Sequence, residues 1–438
     1  MARALACVLG LALLAATPGT FAGIAPIASG DIADGRSQGI SIAVVTNGKL
    51  AGSQSFGAAG ALSRFAIGSV TKMFTAVSVM QLASKRKLSL DDSVAKYYPQ
   101  YPNADAITIR ELLGHTSGIP NLLDDALASG DAAKSTTPDD MIVAAARRKA
   151  DFPPGTDWNY SNTGYVLLGR IVEKVSGKPL AVYERQHIFD PLGMDHTGPP
   201  PNSGVVPAWE GDPGDWSWYY AAGDIFSTAV DLARFDIGLM NGTLLGISAF
   251  RTMQQTSSFP TLEPGLHDGL GLFVRSGGTT TIIGHHGGLP GYRSDNEMVP
   301  ANGFAVVVLG NGSYNTAPIV HAVLQSYVPG AMKDAPILTV DPAPDVTARA
   351  GSTIRDMLAG TLDRSQFEPL VAIQLPPNAT IAKQLSVYGE LKNIAFQSKA
   401  YTSSGKFYVY VATFAKKTVI LSFRVADDGK FASFVLTN

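Results

Sequence analysis

Apolar and polar residues alternate on both sides of Asn47-Gly48 in the stretch GISIAVVTNGKLAGSQSFG, which predicts a β-hairpin with its turn at Asn-Gly. Helical patterns then dominate to about residue 255, interrupted by proline and glycine turns. Strand patterns return in GLGLFVR, TTTIIGHHGG and GFAVVVLGNG, and a last helical pattern follows in PIVHAVLQSYV. Strands at both ends with helices between them predict one sheet that both ends of the domain close.

A second, smaller unit follows a proline-rich stretch that contains Pro336, Pro342 and Pro344. STIRDMLAG has a helical pattern, and KNIAFQSKAY, FYVYVATFA, TVILSFRVA and KFASFVLTN alternate like strands. We therefore expect a main domain over 23–333, a linker over 334–344 and a small α+β domain over 345–438.

The first 22 residues have the pattern of an export signal. Arg3 precedes the apolar run ALACVLGLALLAA, and small residues surround Ala22, which predicts cleavage near Ala22–Gly23. The alternative is an uncleaved N-terminal anchor. No later stretch approaches the roughly 20 apolar residues of a membrane span, so we expect a secreted or periplasmic protein without stable membrane insertion after cleavage.

Composition narrows the possible functions. The 438 residues are 45% hydrophobic and 16% charged, with a net charge of −2, and no Lys/Arg cluster indicates a nucleic-acid partner. Cys7, the only cysteine, lies in the export segment, too early in it for a lipoprotein signal. The mature chain would have no disulfide and no cysteine nucleophile or metal ligand.

A serine and a lysine mark the start of one apolar helix, IGSVTKMFTAVSVMQL. Ser69 and Lys72 are three residues apart, so they project from the same helix face. A buried lysine is costly unless it is neutral or hydrogen-bonded, which suggests that Lys72 takes a proton from Ser69. The alternative is an N-cap serine beside a lysine whose stem alone is buried. Only this S-x-x-K match follows a glycine and opens an apolar helix; the others begin at Ser84, Ser93 and Ser403.

Acyl transfer by a serine also needs a proton donor near the leaving group and donors for the oxyanion. Tyr160 and Asn162 lie in a polar loop before an amphipathic helix that should end at Gly177. A phenol acts as a base only where nearby cations stabilise the phenolate, and Lys72 could be one. The same Y-x-N pattern recurs at Tyr101–Asn103, and its alternative meaning is a capped helix start with a packed tyrosine.

The third candidate element is IIGHHGGLPGYRS, a strand that runs into glycines. Glycine allows a substrate backbone to approach closely, and either His285 or His286 would face the cleft, because neighbours on a strand point opposite ways. A glycine-rich hairpin with one buried and one exposed histidine is the structural alternative, and another H-x-G lies at His267–Gly269. A zinc site is less favoured, since adjacent strand histidines diverge and no H-E-x-x-H occurs.

The order Ser–Lys, Tyr–Asn, His–Gly resembles the serine hydrolases of the penicillin-binding protein and class C β-lactamase superfamily. This group includes D-alanyl-D-alanine carboxypeptidases, D-aminopeptidases and β-lactamase-like esterases. The resemblance spans roughly residues 36 to 330 and rests on FAIGSVTKMFTA, LSLDDSVAKYYP, ITIRELLGHTSGIP, FPPGTDWNYSNTGYVLLGRIVEKVSGKPL, DPLGMDHT, AAGDIFSTAVDLARF and GHHGGLPGYRS. It implies an α/β (α+β) β-lactamase/transpeptidase-like fold: an antiparallel sheet flanked by helices, with a helical subdomain. The C-terminal domain lies outside this resemblance, and its helix-then-sheet pattern resembles the small NTF2- or cystatin-like domains appended to such hydrolases.

The resemblance also implies roles for individual residues. Ser69 would be the acylated nucleophile, Lys72 its proton partner and Tyr160 the general base and then acid. Asn162 would hold the substrate amide, His285 would occupy the third motif and Gly287 would end it, although His286–Gly288 fits the same pattern. The backbone N–H groups of Ser69 and Gly288 would form the oxyanion hole. The family's HTSG turn, His115–Gly118 here, is expected to be structural, and SDN at Ser294–Asn296 is discounted because it follows the third motif.

The resemblance implies an exported enzyme that needs no metal or cofactor and cleaves a small-molecule or peptide substrate, either an ester or a D-amino-acid amide. Class C β-lactamases usually carry lysine where His285 stands, so penicillin hydrolysis is an alternative of lower rank. A non-catalytic sensor or binder of cell-wall peptide is a second alternative. An aromatic group, Trp216, Trp218, Tyr219 and Tyr220, could line an apolar pocket or simply pack. The sequence does not indicate an oligomeric state.

Overall fold

A computed structural model describes residues 21–200, 204–259, 261, 265–275, 278, 280–331, 341, 343–402 and 405–437. The strands are β1 Gly39–Thr46, β2 Lys49–Gly57, β3 Phe65–Ala66, β4 Phe226–Ser227, β5 Leu266–Asp268, β6 Phe273–Arg275, β7 Ile282–Leu289, β8 Tyr292–Val299, β9 Phe304–Asn311, β10 Leu391–Thr402, β11 Gly405–Phe414, β12 Thr418–Val425 and β13 Phe431–Thr437. The helices are α1 Ala25–Ala33, α2 Thr71–Ser84, α3 Ile109–Leu113, α4 Leu122–Ser129, α5 Pro138–Ala146, α6 Asn162–Ser176, α7 Leu180–Glu184, α8 Asp190–Leu192, α9 Ala229–Met240, α10 Ile247–Met253, α11 Ala317–Tyr327, α12 Pro344–Ala359, α13 Pro369–Gln374 and α14 Asn378–Leu385.

The main sheet is antiparallel, and within the described residues its order is β2-β1-β9-β8-β7-β6-β5. β1, near the start of the chain, pairs with β9, about 260 residues later, from Ile40 opposite Gly310 to Val45 opposite Ala305. The prediction that both ends of the domain close one sheet is confirmed. So is the first hairpin, because Asn47 and Gly48 have φ angles of 51° and 69°, as an Asn-Gly turn requires.

Helices cover both faces of this sheet, which explains why β9 is apolar at nearly every position. Val307 and Leu309 contribute to the core under α2 and α9, where Phe74 and Phe235 pack with ring centroids 4.3 Å apart. Alternate residues of β9, such as Val308, face the second core, beneath α1 and α11. Burying a side chain of this size contributes about 1.5–3 kcal/mol, so the two layers stabilise the strand that lies between β1 and β8.

The helical part between β2 and β5 is arranged around α6. The Ser161 side chain accepts a hydrogen bond from Gly164 N and caps the helix, which ends before Gly177 at a φ of 71°. The predicted end of this helix is confirmed. α6 packs directly against α2, so the cap that fixes its start also fixes the loop bearing Tyr160 relative to Ser69.

The C-terminal part is a separate α+β layer. Its sheet has the open order β10-β11-β12-β13 with every neighbouring pair antiparallel, and α12 to α14 accompany it. Ile354 of α12 packs in a core with Phe396, Tyr410 and Phe423. The predicted helix and four strands are therefore confirmed. Most of the predicted linker, 334–340 and residue 342, lies outside the described residues, and the domain boundaries stay predictions.

The predicted export segment also lies almost wholly outside the described residues, which begin at Phe21. Phe21 and Ile24 are 5% and 3% exposed and pack in the core with α1 and α11. Cleavage between residues 22 and 23 would therefore remove one buried side chain from that core. Of the helices that the structure describes, none is long and apolar enough to cross a membrane.

Candidate active site

Ser69 lies in a 3₁₀ turn, Gly68–Val70, that runs into α2. The turn touches strand β7 at Gly287, where an added Cβ would lie 2.2 Å from the Ile67 carbonyl oxygen and 3.0 Å from Ser69 N. Ser294 Oγ, on neighbouring β8, donates a hydrogen bond of 2.7 Å to the same carbonyl. The sheet therefore holds the serine turn through a side chain that sequence analysis discounted, and through the absence of one at Gly287.

Lys72 is fully buried, and three oxygen atoms surround its amine. Nζ lies 3.1 Å from Ser69 Oγ, 2.7 Å from Asn162 Oδ1 and 2.8 Å from the carbonyl oxygen of Ala222. Burial lowers the pKa of Lys72 well below its ordinary value. A neutral amine has two N–H groups, which suit the amide and carbonyl acceptors, and one lone pair, which suits the Ser69 hydroxyl proton.

Tyr160 presents its phenol to the same point. Its ring centroid is 4.8 Å from Lys72 Nζ, and its buried hydroxyl makes no hydrogen bond of normal geometry within the described residues. Burial raises the pKa of Tyr160 above its ordinary value, and the nearby Ser69 hydroxyl lowers it only in part. The phenol is therefore protonated at neutral pH, which suits a proton donor better than a base.

His115, from the predicted structural HTSG turn, supports the loop that carries Tyr160. Its Nδ1 accepts a hydrogen bond of 3.1 Å from Ser161 N, and its ring lies 4.3 Å from the Tyr160 ring. Its own backbone has a φ of 56°, uncommon for a residue with a Cβ. Trp158 anchors the same loop by donating its indole N–H to Asp268 Oδ2 at 2.8 Å. Asp268 lies between His267 and Gly269, in the second H-x-G pattern, and no local sequence signal indicates these contacts.

Asn162 connects the lysine to the helical part of the protein. Its Oδ1 accepts from Lys72, while its Nδ2 and its backbone N–H both donate to Asn121 Oδ1 at 3.1 Å. The amide orientation is therefore fixed by partners on both sides. Asn121, which precedes α4, is a further residue of the site that sequence analysis did not name.

The two histidines of β7 face opposite ways, as strand geometry requires. His285 is 3% exposed, its ring lies 6.3 Å from that of Tyr160, and His286 is exposed and stacks on Phe273. His285 Nδ1 lies 2.6 Å from the His286 carbonyl oxygen, which can only accept, so in the neutral ring Nδ1 carries the proton and Nε2 has the lone pair. Burial lowers the pKa of His285, so the ring is neutral. No group of three or more His, Cys, Asp or Glu side chains among the described residues is placed to hold a metal ion.

A cavity of about 290 Å³ opens in front of these groups, and we call it the inner cavity. Four predicted residues line it: Ser69, Tyr160, Asn162 and Gly288. His285, His286 and Gly287 do not line it, and Lys72 lies behind Ser69. Of the aromatic group, Tyr219 lines this cavity, Tyr220 lines another, Trp216 packs on Phe226 and Trp218 donates to the Lys134 carbonyl.

The inner cavity also has walls that sequence analysis did not predict. Asp124 of α4 supplies a carboxylate, and the remaining walls include Leu123, Leu127, Leu289 and Tyr401. Two deeper carboxyls act on the charge of Lys72 from behind. Burial raises the pKa of Asp268 to about 8 and that of Asp224 to about 7, so burial disfavours the charged form of both carboxyls. The lining is mixed, because Asn121, Asn159 and Thr402 add polar side chains to the apolar ones, and Asp124 is the exposed acid among the lining residues.

Comparison with known proteins gives a consistent result. A family model described as Beta-lactamase matches residues 24–325. Penicillin-binding protein 4 of Amycolatopsis lactamdurans is 31% identical over 290 residues, which cover 58% of this chain and 74% of that one. A D-stereospecific amidohydrolase from Streptomyces sp. superposes with a TM-score of 0.61 and 27% identity, over 71% of this chain and 99% of that one. An octameric penicillin-binding protein homologue from Pyrococcus abyssi shares the fold, with a TM-score of 0.64 and 22% identity over 94% of this chain and 99% of that one.

Replacing Gly287 by alanine should push β7 away from the serine turn, because the new Cβ would lie 2.2 Å from the Ile67 carbonyl oxygen. We expect a loss of about 1–3 kcal/mol in the free energy of unfolding, measured by urea denaturation. Gly288→Ala is the matched control, since the nearest atom to its new Cβ is the flexible end of Arg293 at 3.8 Å. Equal stability of the two variants would contradict this account of the contact.

Proposed function

Since the chain belongs to the beta-lactamase family and is a serine hydrolase, we propose that it forms an acyl-enzyme at Ser69 with a small ester or a D-amino-acid amide. The observation that carries the proposal is the environment of Lys72: a buried amine 3.1 Å from Ser69 Oγ, with two other oxygen atoms that can only accept. Burial of Lys72 favours the neutral amine over the ammonium, and the lone pair of the neutral amine can take the Ser69 hydroxyl proton.

In the proposed acylation, Lys72 takes the hydroxyl proton while Ser69 Oγ forms a bond to the substrate carbonyl carbon. The oxyanion accepts hydrogen bonds from the backbone N–H groups of Ser69 and Gly288. When the bond to the leaving group breaks, Tyr160 gives its proton to the leaving oxygen or nitrogen, and the ammonium of Lys72 then returns a proton to Tyr160. Deacylation follows the same steps in reverse, with water in place of the leaving group. Water forms a bond to the acyl carbon, the bond to Ser69 Oγ breaks, Ser69 regains its proton, and the carboxylic acid product is released. We assign the base role to Lys72 because burial keeps the phenol of Tyr160 protonated.

The walls of the inner cavity favour a substrate with an amine. Asp124 is an exposed acid on the wall of the cavity that contains Ser69, so its carboxylate can pair with the ammonium group of an aminoacyl substrate. A structural relative is named for D-stereospecific amide hydrolysis, which is consistent with this preference. Penicillin hydrolysis stays the weaker alternative, because a neutral His285 stands where class C β-lactamases usually carry a lysine. The hypothesis of a non-catalytic binder loses its support, since the chain is a serine hydrolase.

We also propose that the protein is exported and works outside the cytoplasm. Support comes from the sequence pattern of residues 1–22, an arginine followed by an apolar run and small residues.

Ser69→Ala should abolish turnover of p-nitrophenyl butyrate, with a loss of about 10³-fold or more in kcat, because no other group can carry the acyl chain. Intact-protein mass spectrometry of the wild type should show one butyryl adduct after rapid quenching. Ser84→Ala is the matched control, since Ser84 also begins an S-x-x-K pattern but lies exposed at the end of α2. Full activity of Ser69→Ala would end the proposal.

The pH profile of kcat/KM should have an acid limb that reports Lys72. The base must be neutral, so activity falls about tenfold per pH unit below its folded pKa, and burial places that pKa well below 10.5. Lys72→Arg should be inactive at every pH, because a guanidinium stays charged. Lys87→Arg, at an exposed S-x-x-K lysine, is the control. Activity of Lys72→Arg near the wild-type level would exclude a lysine base.

Asp124→Asn should change substrate preference. The ratio of kcat/KM for D-alanine p-nitroanilide to that for p-nitrophenyl butyrate should fall about tenfold, since a hydrogen bond to a charged group is worth about 1.5–3 kcal/mol. The neighbouring Asp125→Asn should leave this ratio unchanged, because the Asp125 carboxylate pairs with Arg148 at 2.8 Å. An unchanged ratio in Asp124→Asn would remove the argument for an amine-bearing substrate.

A further inference from the structure

The end of β10, an edge strand of the C-terminal sheet, reaches the catalytic cleft. Ala400, Tyr401 and Thr402 line the same inner cavity as Ser69 and Tyr160. The cavity is therefore built by residues between 69 and 290 and by the end of β10, which follows more than 100 residues later. The region that the family model matches, residues 24–325, ends before β10 and so does not include this wall.

The backbone of β10 is held by the side chain of Asn159, the neighbour of Tyr160. Tyr401 N–H donates to Asn159 Oδ1 at 3.2 Å, and Asn159 Nδ2 donates to the Tyr401 carbonyl at 3.3 Å. One amide side chain thus makes the pair of hydrogen bonds that a neighbouring strand would make. Asn159 Nδ2 also donates to Asp151 at 2.8 Å, which fixes its orientation.

The Tyr401 side chain is fixed as well. Its hydroxyl donates to Asp157 Oδ2 at 2.6 Å, and its ring centroid lies 5.1 Å from that of Phe152. Lys399, on the same strand, bonds Asp157 at 2.5 Å, with the two side chains only 13% and 14% exposed. Because the pair is partly shielded from solvent, it holds the ring in place better than an exposed ion pair would.

Tyr401 and Thr402 also line a second, larger cavity of about 540 Å³, the outer cavity. The residues that line both cavities form a partition between them: Asn121, Asp124, Tyr401 and Thr402. The outer cavity is bordered on the C-terminal side by Lys406 and Arg424 and on the catalytic side by Arg148 and Lys149. Of the partition residues, Tyr401 has the largest side chain.

We propose that Tyr401 is a specificity-determining residue that the C-terminal domain supplies to the active site: it closes the inner cavity against the outer one and so limits the size of the substrate that reaches Ser69. The inference rests on the proposed acyl-enzyme function. A substrate with a short acyl chain fits within the inner cavity, whereas a long chain must pass the position of the Tyr401 ring. Removing the ring joins the two cavities into one longer groove.

The test compares p-nitrophenyl octanoate with p-nitrophenyl acetate in the full-length protein. In Tyr401→Ala the octanoate-to-acetate ratio of kcat/KM should rise about tenfold. Tyr401→Phe keeps the ring and should keep the wild-type ratio. Tyr388→Ala is the matched control, because it removes a tyrosine ring from the same domain that lines neither the inner nor the outer cavity. Thermal melting checks that each variant is folded.

If Tyr401→Ala does not fold, a variant that should change the octanoate-to-acetate ratio in the opposite direction still tests the proposal. Thr402→Trp adds bulk at an exposed position of the partition and should lower the ratio. An unchanged ratio in the folded variants, with turnover that Ser69→Ala abolishes, would overturn the role of Tyr401 and leave the hydrolase function standing. Absence of any Ser69-dependent turnover in the wild type would overturn the proposed function and this inference together.

Discussion

The constraint on which this site depends is the burial of one amine. Lys72 lies on an apolar helix, fully shielded from water, where an uncompensated ammonium would be prohibitively costly. Oxygen atoms from three separate segments lie within hydrogen-bond distance of the amine: the turn before α2, the start of α6 and the stretch before β4. Satisfying the amine therefore brings these segments together, and the same contacts place it beside the serine hydroxyl. The contacts that allow the amine to be buried are therefore the same contacts that place it to react with Ser69.

Strand β7 and the loop before α6 complete the site around Ser69 and Lys72. β7 approaches the serine turn so closely that only glycine fits at position 287, and its register sends His285 inward and His286 outward. The loop before α6 holds Tyr160 between His115 and Lys72. Burial depresses the pKa of the lysine and the inner histidine and raises that of the phenol, so burial favours the neutral form of all three. In its neutral form the lysine has a lone pair for the Ser69 hydroxyl proton, while the protonated phenol keeps a proton to give to a leaving group.

Much of this could be predicted from the sequence, because the signals are local. The Asn47-Gly48 turn, the helix that ends at Gly177 and the four alternating C-terminal strands all follow from short-range patterns. The order of the three motifs indicated the family, although each motif alone also occurs elsewhere in the chain. The contacts that shape the cavity could not be predicted in this way. Asn159 meets Tyr401 across 242 residues, and no periodicity or motif registers such a pairing. The contacts of His115 could not be predicted for the same reason, since its ring packs on a loop 45 residues away.

The amide of Asn159 has one further consequence. It joins the edge of the C-terminal sheet to the residue next to Tyr160, so the energy of seating that sheet and the energy of ordering the catalytic loop are not independent quantities. By thermodynamic reciprocity, a ligand that binds more tightly when the loop is ordered must also strengthen the contact between the C-terminal sheet and the loop, by the same free energy. The C-terminal sheet thus acts on the loop as an allosteric effector would. Because it belongs to the same chain, its effective concentration at the loop is fixed by the covalent connection.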